Sequence, residues 1–505
     1  MEVLADGENL TLEQVVQVAR EGAPVRPVLP PWFHASRELV LEKAAGSEPV
    51  YGINTGFGEL ATMRIPRDQV AELQRNLVLS HSAGVGEPVP IEVCRATLLL
   101  RLNALAKGYS GVRSELVELL AEMLNRRVHP VIPSRGSVGA SGDLAPLAHL
   151  ALVVIGLGEA EFRGRILPGG EALAEAGLSP LSLEVKEGLA LVNGTQFMAA
   201  YGTLALHDAE QLVEAAEIAC ALTLEALKGS VHPLDPRLQA VRPHPGQIAA
   251  AAHLGGLLAG SPIVASHQHH CPKVQDPYSL RCAPQVFGAV REALDFSHQV
   301  VARELNSATD NPLCFPESRE IISSGNFHGQ PVALALDVAK LALTQLGNFS
   351  ERRAYQLLDA SRSGLPPFLA RRPGLNSGYM LAQYTAAALC AENQTLAVPA
   401  TLHSIPTSAG MEDFNSMGAT SAVHLRTILE NTRRIVAIEL LCATQAVEEH
   451  RPLRTTASLE AAIAAVRGIV PRLESDRPLS KEIEMVAGLI REGILQQATR
   501  VGPAR

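Results

Sequence analysis

The segment 134–146 reads SRGSVGASGDLAP and runs into an apolar stretch, residues 144–155, that predicts a helix. Three interpretations fit a Gly- and Ser-rich loop at such a junction. The glycines could cradle a phosphate, but the G-x-G-x-x-G spacing and a P-loop lysine are missing. Ser141 could be the nucleophile of a G-x-S-x-G elbow, but Gly142 follows it directly and breaks that frame. Ser141 and Asp143 could also form a tight turn that caps the helix.

Other polar or glycine-rich motifs follow the same order along the chain as in one known family. They are YGINTGFG at 51–58, VNGTQ at 192–196, QDPYSLRC at 275–282, GNFHG at 325–329 and SGLP at 363–366. With Ala-Ser-Gly at 140–142, this set resembles the MIO-dependent aromatic amino acid ammonia-lyases, closest to their histidine-acting branch. The resemblance covers nearly the whole chain, and five such motifs in family order do not coincide by chance.

The resemblance implies a prosthetic group built from the chain itself. In that family Ala140, Ser141 and Gly142 cyclise without another enzyme into 4-methylidene-imidazol-5-one (MIO). Gly142 lacks a Cβ, so its amide nitrogen can approach the Ala140 carbonyl, and Ser141 then loses water to leave an electrophilic methylene. An amine is a poor leaving group, and attack by the substrate nitrogen on this methylene improves it. No pyridoxal phosphate and no catalytic metal are expected.

Two tyrosines are implied to handle protons. Tyr51 is the general base for the weakly acidic β-proton, and its phenol needs nearby positive charge or the MIO environment to ionise. Without the resemblance, Tyr51 would be interpreted as a loop tyrosine with a capping hydroxyl. Tyr278 is implied to relay a proton or support the amine.

The remaining implied site residues hold the substrate. The planar fork of Arg281 suits a carboxylate, although most arginines form surface ion pairs. Asn326 adds a donor to the same carboxylate, and Phe327 packs near MIO or the substrate. Asn193 and Gln275 hold the MIO carbonyl oxygen or the amine, although loop amides often bond only to backbone.

Ring recognition is implied for His81 and Glu412. His81 favours a polar ring over plain phenylalanine, and a carboxylate at position 412 suits an imidazole N–H. The chain departs from the histidine-acting pattern at His403 and at 410–415, which reads GMEDFN. These departures leave the substrate open at this point.

The leading expectation is conversion of L-histidine to trans-urocanate and ammonia. The alternative is a lyase or 2,3-aminomutase acting on tyrosine or a substituted phenylalanine, because residues 101–108 resemble tyrosine aminomutases. A remote alternative is a non-catalytic helical scaffold. The fumarase–aspartase enzymes are a weak third, since the serine loop that they use is not found. The resemblance also implies a homotetramer of dihedral symmetry, with each active site built from three subunits.

Composition excludes several classes of protein. The 505 residues are 47% hydrophobic, which excludes disorder as the main state, and carry a net charge of −9. This mild acidity argues against nucleic-acid binding. Seven widely spaced cysteines without a CxxC pair indicate reduced thiols, and the acidic start lacks a signal-peptide pattern. Charges within the most apolar stretch, 204–227, argue against a membrane span, so a cytoplasmic location is expected.

Helical periodicity dominates the chain. Thr11 and Gln14 form a capping-box pattern, and Gly22 ends the helix that they begin. Shorter helices are predicted at 36–46, 67–80, 91–107, 114–126 and within 456–496. Three long helices, apolar on more than one face, are predicted at 195–227, 330–358 and 415–449. The only strand signals are short ones at Arg163–Leu167 and Glu320–Ile322.

These elements predict a mainly α fold, in which long helices form a central bundle beside a smaller mixed N-terminal region. With the resemblance, the architecture is fumarase/aspartase-like. Three domains are expected, an N-terminal MIO-bearing one at 1–195, the helix bundle at 196–450 and a C-terminal helical region at 451–505. The segment 267–271, HQHHC, looks like a metal cluster, but its spacing does not recur, so a polar loop is the preferred interpretation.

Overall fold

The computed structural model describes residues 2–267 and 273–500. The α-helices lie at Leu12–Val16, Phe33–Ala45, Val70–His81, Ile91–Ala106, Ser114–Asn125, Leu144–Val154, Gly169–Glu175, Glu187–Val192, Gln196–Ala226, Pro236–Ala240, Pro245–Leu258, Pro262–His267, Tyr278–Arg281, Ala283–Glu304, Gln330–Leu358, Ala360–Ser363, Met380–Leu396, Gly418–Glu448, Ala457–Arg467, Ser480–Arg491 and Ile494–Arg500. The strands lie at Val3–Ala5, Val25–Pro27, Val85–Pro88, His129–Pro130, Pro133–Arg135, Glu159–Phe162, Arg165–Pro168, Leu313–Phe315 and Glu320–Ile322. The predicted mainly α class is confirmed.

The three long helices are Gln196–Ala226, Gln330–Leu358 and Gly418–Glu448, each within three residues of its predicted bounds. Their sequences are apolar on several faces and nearly free of proline, so they are stable only when surrounded by other helices. Most of the residues in Gln196–Ala226 are buried, as this pattern requires.

Some helix bounds differ from the prediction. The first helix has the predicted capping box, in which Thr11 and Gln14 bond each other's backbone N–H groups, and Gly22 follows at a left-handed φ of 73°. The next helix begins at Phe33 rather than Ser36, because Phe33 is itself buried and packs as part of the helix. Two further helices, Ala283–Glu304 and Met380–Leu396, were not predicted. Only the second has a weak pattern, since its buried residues are mostly small.

The strands form small sheets. Glu159–Phe162 and Arg165–Pro168 make an antiparallel hairpin, which His129–Pro130 extends to three strands. The hairpin turn lies at 163–164, so the predicted strand at Arg163–Leu167 begins two residues too early. Glu320–Ile322 pairs with Leu313–Phe315 as a second hairpin.

The chain folds into two compact units. The first unit comprises Met1–His207, Ser297–Asp337 and Pro399–Val423. The second unit comprises Asp208–Phe296, Val338–Val398 and His424–Arg505. The three-domain division expected from sequence stays a prediction.

One helix, Gln330–Leu358, is long and apolar enough to cross a membrane, but 67% of its most apolar window is buried within the protein. Core helices of this length pass the same test of length and hydropathy. Within the described ranges, every cysteine is a free thiol.

A buried ion pair joins the three long helices within the second unit. Arg353 donates two hydrogen bonds to Glu439, at 2.5 and 2.6 Å. Thr223 and Ser350 donate to the same carboxylate at 2.8 and 2.6 Å, and all four side chains are buried. Since each long helix contributes at least one group, this cluster specifies how the helices meet.

We expect Glu439→Gln to lower the free energy of unfolding by about 3–5 kcal/mol, because the Arg353 charge would stay buried without its counter-ion. The measurement is chemical denaturation followed by circular dichroism. Glu484→Gln, which removes an exposed pair with Arg434, is the control and should cost less than about 1 kcal/mol. Equal losses in the two variants would contradict the structural role of the buried pair.

Candidate active site

The Ala-Ser-Gly loop is held against the Asn193 loop by backbone contacts. Gly142 has a φ of +74°, and a Cβ at this position would lie 2.1 Å from the Gly194 carbonyl oxygen. The Asp143 N–H donates to that oxygen at 2.7 Å, and the Gly194 N–H donates to the Ser141 carbonyl at 3.3 Å. Only glycine therefore fits position 142, as backbone conformation and space both require.

Asp143 precedes the Leu144–Val154 helix but does not cap it with its side chain. Its carboxylate instead accepts hydrogen bonds from the Met198 N–H at 2.9 Å and the Ser137 hydroxyl at 3.0 Å. Burial raises the pKa of Asp143 to about 7. The interpretation as a side-chain cap is wrong at this residue, which ties the loop to the start of the Gln196–Ala226 helix.

The backbone of Asn193 is held by a buried arginine. The Arg101 guanidinium donates to the Asn193 carbonyl at 2.6 Å, and burial lowers the pKa of Arg101 to about 10. The Asn193 side-chain nitrogen donates to the Asn311 carbonyl at 3.1 Å. Its side-chain oxygen is buried and has no hydrogen-bond partner among the described residues. That oxygen is free to accept a bond from a ligand.

Buried charges that the sequence interpretation missed surround this loop. Lys186 pairs with Asp310 at 2.5 Å, and both are fully buried. The Thr195 hydroxyl donates to Glu304, whose pKa is raised by burial. A detectable signal was present for Arg101, since this charged residue directly follows the apolar run Leu98–Leu100 within the Ile91–Ala106 helix, which is buried over most of its length. Such residues are rarely buried unless they hold another group.

Glu412 lies beside Ser141. The Ser141 hydroxyl donates to one oxygen of Glu412 at 3.3 Å, and Thr407 donates to the other at 2.8 Å. Backbone bonds between Thr407 and Glu412, at 2.9 and 3.3 Å, hold the carboxylate in place. The departure at 410–415 from the histidine-acting pattern thus leaves an acidic group at the Ala-Ser-Gly loop.

Tyr51 is half-buried, with its ring edge-on to Phe57 at 6.3 Å. Burial raises the pKa of Tyr51, and the carboxylates of Glu412 and Asp310 raise it further. Positive charge near Tyr51 was expected to help its phenol ionise. The charged neighbours that act on it, Glu412 and Asp310, are negative and have the opposite effect. In this arrangement Tyr51 is protonated at neutral pH.

His81 ends the Val70–His81 helix, and its Nδ1 lies 3.0 Å from the Ser80 hydroxyl. Burial lowers the pKa of His81, and the Glu412 carboxylate opposes this shift. His81 and Glu412 therefore interact electrostatically. The pair offers a polar setting in which the imidazole of His81 is neutral near pH 7.

Asn326 and Phe327 lie on the loop before the Gln330–Leu358 helix. Asn326 is exposed, with its side-chain nitrogen 3.5 Å from the Ala308 carbonyl, and Phe327 is half-buried. His328 joins this loop to the 403–415 segment, because its Nε2 lies 3.0 Å from the Phe414 carbonyl and its ring stacks on that of Phe414. Both segments belong to the first unit.

Three of the predicted site residues belong to the second unit. Tyr278 is 69% exposed, and the Arg281 guanidinium lies 4.6 Å from its ring centroid. Gln275 is exposed as well. Of the segment 267–271, interpreted from sequence as a polar loop, only His267 lies inside the described residues. Within the first unit, Glu412 contacts Ser141, and Tyr51 and His81 lie within electrostatic range of Glu412.

Comparisons with known proteins identify the family. The profile of the family "Aromatic amino acid lyase" matches residues 10–468. A protein of Stigmatella aurantiaca named histidine ammonia-lyase is 56% identical, over 98% of this chain and 97% of its own. Histidine ammonia-lyase from Trypanosoma cruzi superposes with a TM-score of 0.91 at 41% identity, over 99% of this chain and 95% of that one. Tyrosine aminomutase from Streptomyces globisporus superposes with a TM-score of 0.93 at 41% identity, over all of both chains. The chain belongs to the aromatic amino acid lyase family.

Proposed function

We propose that this enzyme deaminates L-histidine to trans-urocanate and ammonia. The observation that carries the proposal is Glu412, which lies 3.3 Å from the Ser141 hydroxyl and acts electrostatically on His81. A carboxylate and a neutral imidazole at the Ala-Ser-Gly loop suit a substrate ring with N–H groups better than a plain phenyl ring. Relatives named histidine ammonia-lyase, at 49–57% identity over nearly their full length, support the same substrate.

The residues present fit an MIO group at Ala140, Ser141 and Gly142. Gly142 lies in a left-handed conformation in a space that excludes a Cβ, and backbone bonds from the Asn193 loop hold the segment on one side. When formed, MIO supplies an electrophilic carbon that turns the substrate amine into a better leaving group. The side-chain oxygen of Asn193, which is buried without a partner among the described residues, is proposed to accept a hydrogen bond from the substrate amine.

Tyr51 is the proposed acceptor of the β-proton. A phenol accepts a proton only after it has lost its own. Since Glu412 and Asp310 raise the pKa of Tyr51, a cation must offset their effect on that pKa. Arg281 is the proposed source of the missing positive charge, and Tyr278 is the proposed proton relay. We propose that they reach the site from neighbouring copies in a cytoplasmic homotetramer, with each site built from three subunits.

Substrate binding is assigned on the same basis. The Arg281 fork is proposed to bind the substrate carboxylate, with Asn326 as a second donor. Gln275 is proposed to hold the amine or the MIO carbonyl, and Phe327 to pack against the substrate. His81 and Glu412 are proposed to recognise the imidazole.

Glu412→Gln is expected to lower kcat/KM for L-histidine about tenfold or more, because a hydrogen bond to a charged group is lost. The same variant should not lower kcat/KM for L-phenylalanine, since that ring has no N–H to bind and the loss of the Glu412 charge lowers the pKa of Tyr51. The measurement is steady-state kinetics with both amino acids. Asp413→Asn, which alters the exposed neighbouring carboxylate, is the control. Equal losses for both substrates would contradict a role in imidazole recognition.

A 2,3-aminomutase is the second candidate, because the tyrosine aminomutase of Streptomyces globisporus superposes over the full length of the chain. An aminomutase returns ammonia to the β-carbon, whereas a lyase releases it. Chromatography of products from L-histidine and L-tyrosine separates the two activities. Trans-urocanate with an equal amount of free ammonia supports the lyase, and a β-amino acid as main product overturns it.

A further inference from the structure

One cavity in the first unit, apart from the proposed active site, is lined by more basic than acidic residues. It encloses about 700 Å³ beside the end of the Ser114–Asn125 helix and the turn of the 159–168 hairpin. We call it the arginine cleft. Its charged lining consists of Arg20, Arg95, Arg126, Arg127 and Arg163, with His129, against Glu21, Glu161 and Glu175. None of these residues belongs to the proposed active site.

The glutamates of the arginine cleft leave several of its arginines unneutralised. Glu161 binds His129 at 2.6 Å, and Glu175 binds Arg165 at 2.5 Å. Arg95, Arg127 and Arg163 have no carboxylate partner among the residues that the structure describes. Three arginines without a paired carboxylate therefore line one cavity, although the Arg163 guanidinium also lies 4.8 Å from the Phe162 ring centroid. Glu21 and Glu161 offset part of this charge, and the remaining excess favours binding of an anion.

Arg127 occupies a position that normally requires glycine. It follows the Ser114–Asn125 helix with a φ of +59°, and the Val128 N–H bonds the Met123 carbonyl while the Arg127 N–H bonds that of Leu124. This is a Schellman motif, in which glycine is the usual left-handed residue. The partial negative charge at the helix C-terminus favours a cation nearby. It does not explain why the residue in the left-handed conformation is an arginine and not a glycine.

Arg163, elsewhere in the lining of the arginine cleft, also has a left-handed backbone conformation. It is the first residue of the two-residue turn at 163–164, where Arg163 and Gly164 have φ values of +51° and +78°. Such a turn favours Asn-Gly, and a long side chain at its first position is unfavourable. Other basic residues, Arg319 among them, share this conformation, but Arg127 and Arg163 also line the same cavity, so both side chains are available to one ligand.

Arg95 and His129 form the floor of the arginine cleft. Arg95 is 5% exposed and donates to the carbonyls of Val18 and Leu124, and its guanidinium nitrogen lies 3.1 Å from His129 Nε2. These bonds fix a positive charge at the bottom of the cavity without neutralising it. Arg127 lies close above, with its guanidinium 3.1 Å from where a Cβ of Gly22 would be.

We propose that the arginine cleft binds a phosphoryl group, held by Arg127 and Arg163 at the rim and by Arg95 at the floor. The planar forks of Arg127 and Arg163 can each donate paired hydrogen bonds to phosphate oxygens. Most N–H groups of Arg95 already bond the Val18 and Leu124 carbonyls, so Arg95 contributes mainly its charge. The group could come from free phosphate or from a phosphate ester, since the cavity is larger than one phosphate needs.

The test is isothermal titration calorimetry at constant ionic strength, with inorganic phosphate and with adenosine monophosphate as separate probes. The variants are Arg127→Gly with Arg163→Gly, and Arg319→Gly as the matched control. Arg319 also has a left-handed φ, +56°, but pairs with Glu42 away from the arginine cleft. We expect the double variant to lose about tenfold or more in affinity, and the control to match the wild type.

The melting temperature without phosphate supplies a second readout. Because glycine suits both left-handed positions, the double variant should melt no lower than the wild type and keep its deaminase activity. Tighter binding of adenosine monophosphate than of phosphate would identify an ester as the ligand. The proposal is overturned if neither probe binds, if the double variant binds as well as the wild type, or if Arg319→Gly loses affinity equally.

Discussion

Ser141→Ala is expected to lower kcat for L-histidine by at least about 10³-fold, because the proposed electrophile can form only from the Ser141 side chain. Substrate binding should change far less, since the groups proposed to hold the carboxylate and the ring remain. The effect should therefore fall on kcat rather than KM. The measurement is steady-state kinetics with enough enzyme to detect slow turnover.

Intact mass spectrometry gives an independent readout of the same variant. The wild-type chain should be lighter than its sequence by two water molecules, and Ser141→Ala should lack this loss. Ser134→Ala, in the strand Pro133–Arg135 of the same loop region, is the control and should keep both the mass deficit and the activity. A Ser141→Ala enzyme within tenfold of wild-type kcat would disprove the assignment.

Tyr51→Phe is expected to lower kcat by about 10²–10⁴-fold, the usual contribution of a general base. The phenylalanine ring keeps the edge-on contact with Phe57, so folding should be unaffected. Tyr109→Phe, which changes another half-buried tyrosine in a ring cluster with Trp32 and Phe315, is the control. It should retain wild-type activity.

The pH dependence separates a base from a structural tyrosine. The pKa of Tyr51 is raised above its usual value of 10.0, so the active phenolate is a minor form at pH 7. The phenolate fraction grows about tenfold per pH unit below the pKa that Tyr51 has once the proposed cation is in place. Wild-type kcat should therefore rise with pH until that pKa is reached. In Tyr51→Phe this rise should disappear from the residual activity. An unchanged slope in the variant would assign the ionisation to another group.

The long helices could be predicted from sequence because burial on all sides leaves a pattern that short segments lack. Gln330–Leu358 has its predicted bounds. Ala283–Glu304 was not predicted, although Phe287, Val290, Leu294 and Val301 form an apolar face at helical spacing. The motif loops were found by resemblance, and their residue types alone allowed several interpretations. The Ala-Ser-Gly loop illustrates this, since a phosphate cradle and a helix cap fitted the same residues.

The electrostatics of the site could not be predicted, because they depend on residues distant in sequence. Asp143 directly precedes a helix, as a capping residue does. In the folded chain its carboxylate accepts hydrogen bonds from the Met198 N–H and the Ser137 hydroxyl instead. The sequence likewise gives no sign that Glu412 and Asp310 act on Tyr51. Only the fold shows that Tyr51 needs a cation from elsewhere to serve as a base.

The most direct test of the proposed function is ultraviolet detection of trans-urocanate after L-histidine is added to the purified enzyme. L-Tyrosine and L-phenylalanine are run beside it as competing substrates. We predict urocanate from L-histidine, with kcat/KM at least about tenfold above that for either other amino acid. A cinnamate-type product from tyrosine or phenylalanine, without urocanate, would contradict the proposed substrate and the roles of His81 and Glu412.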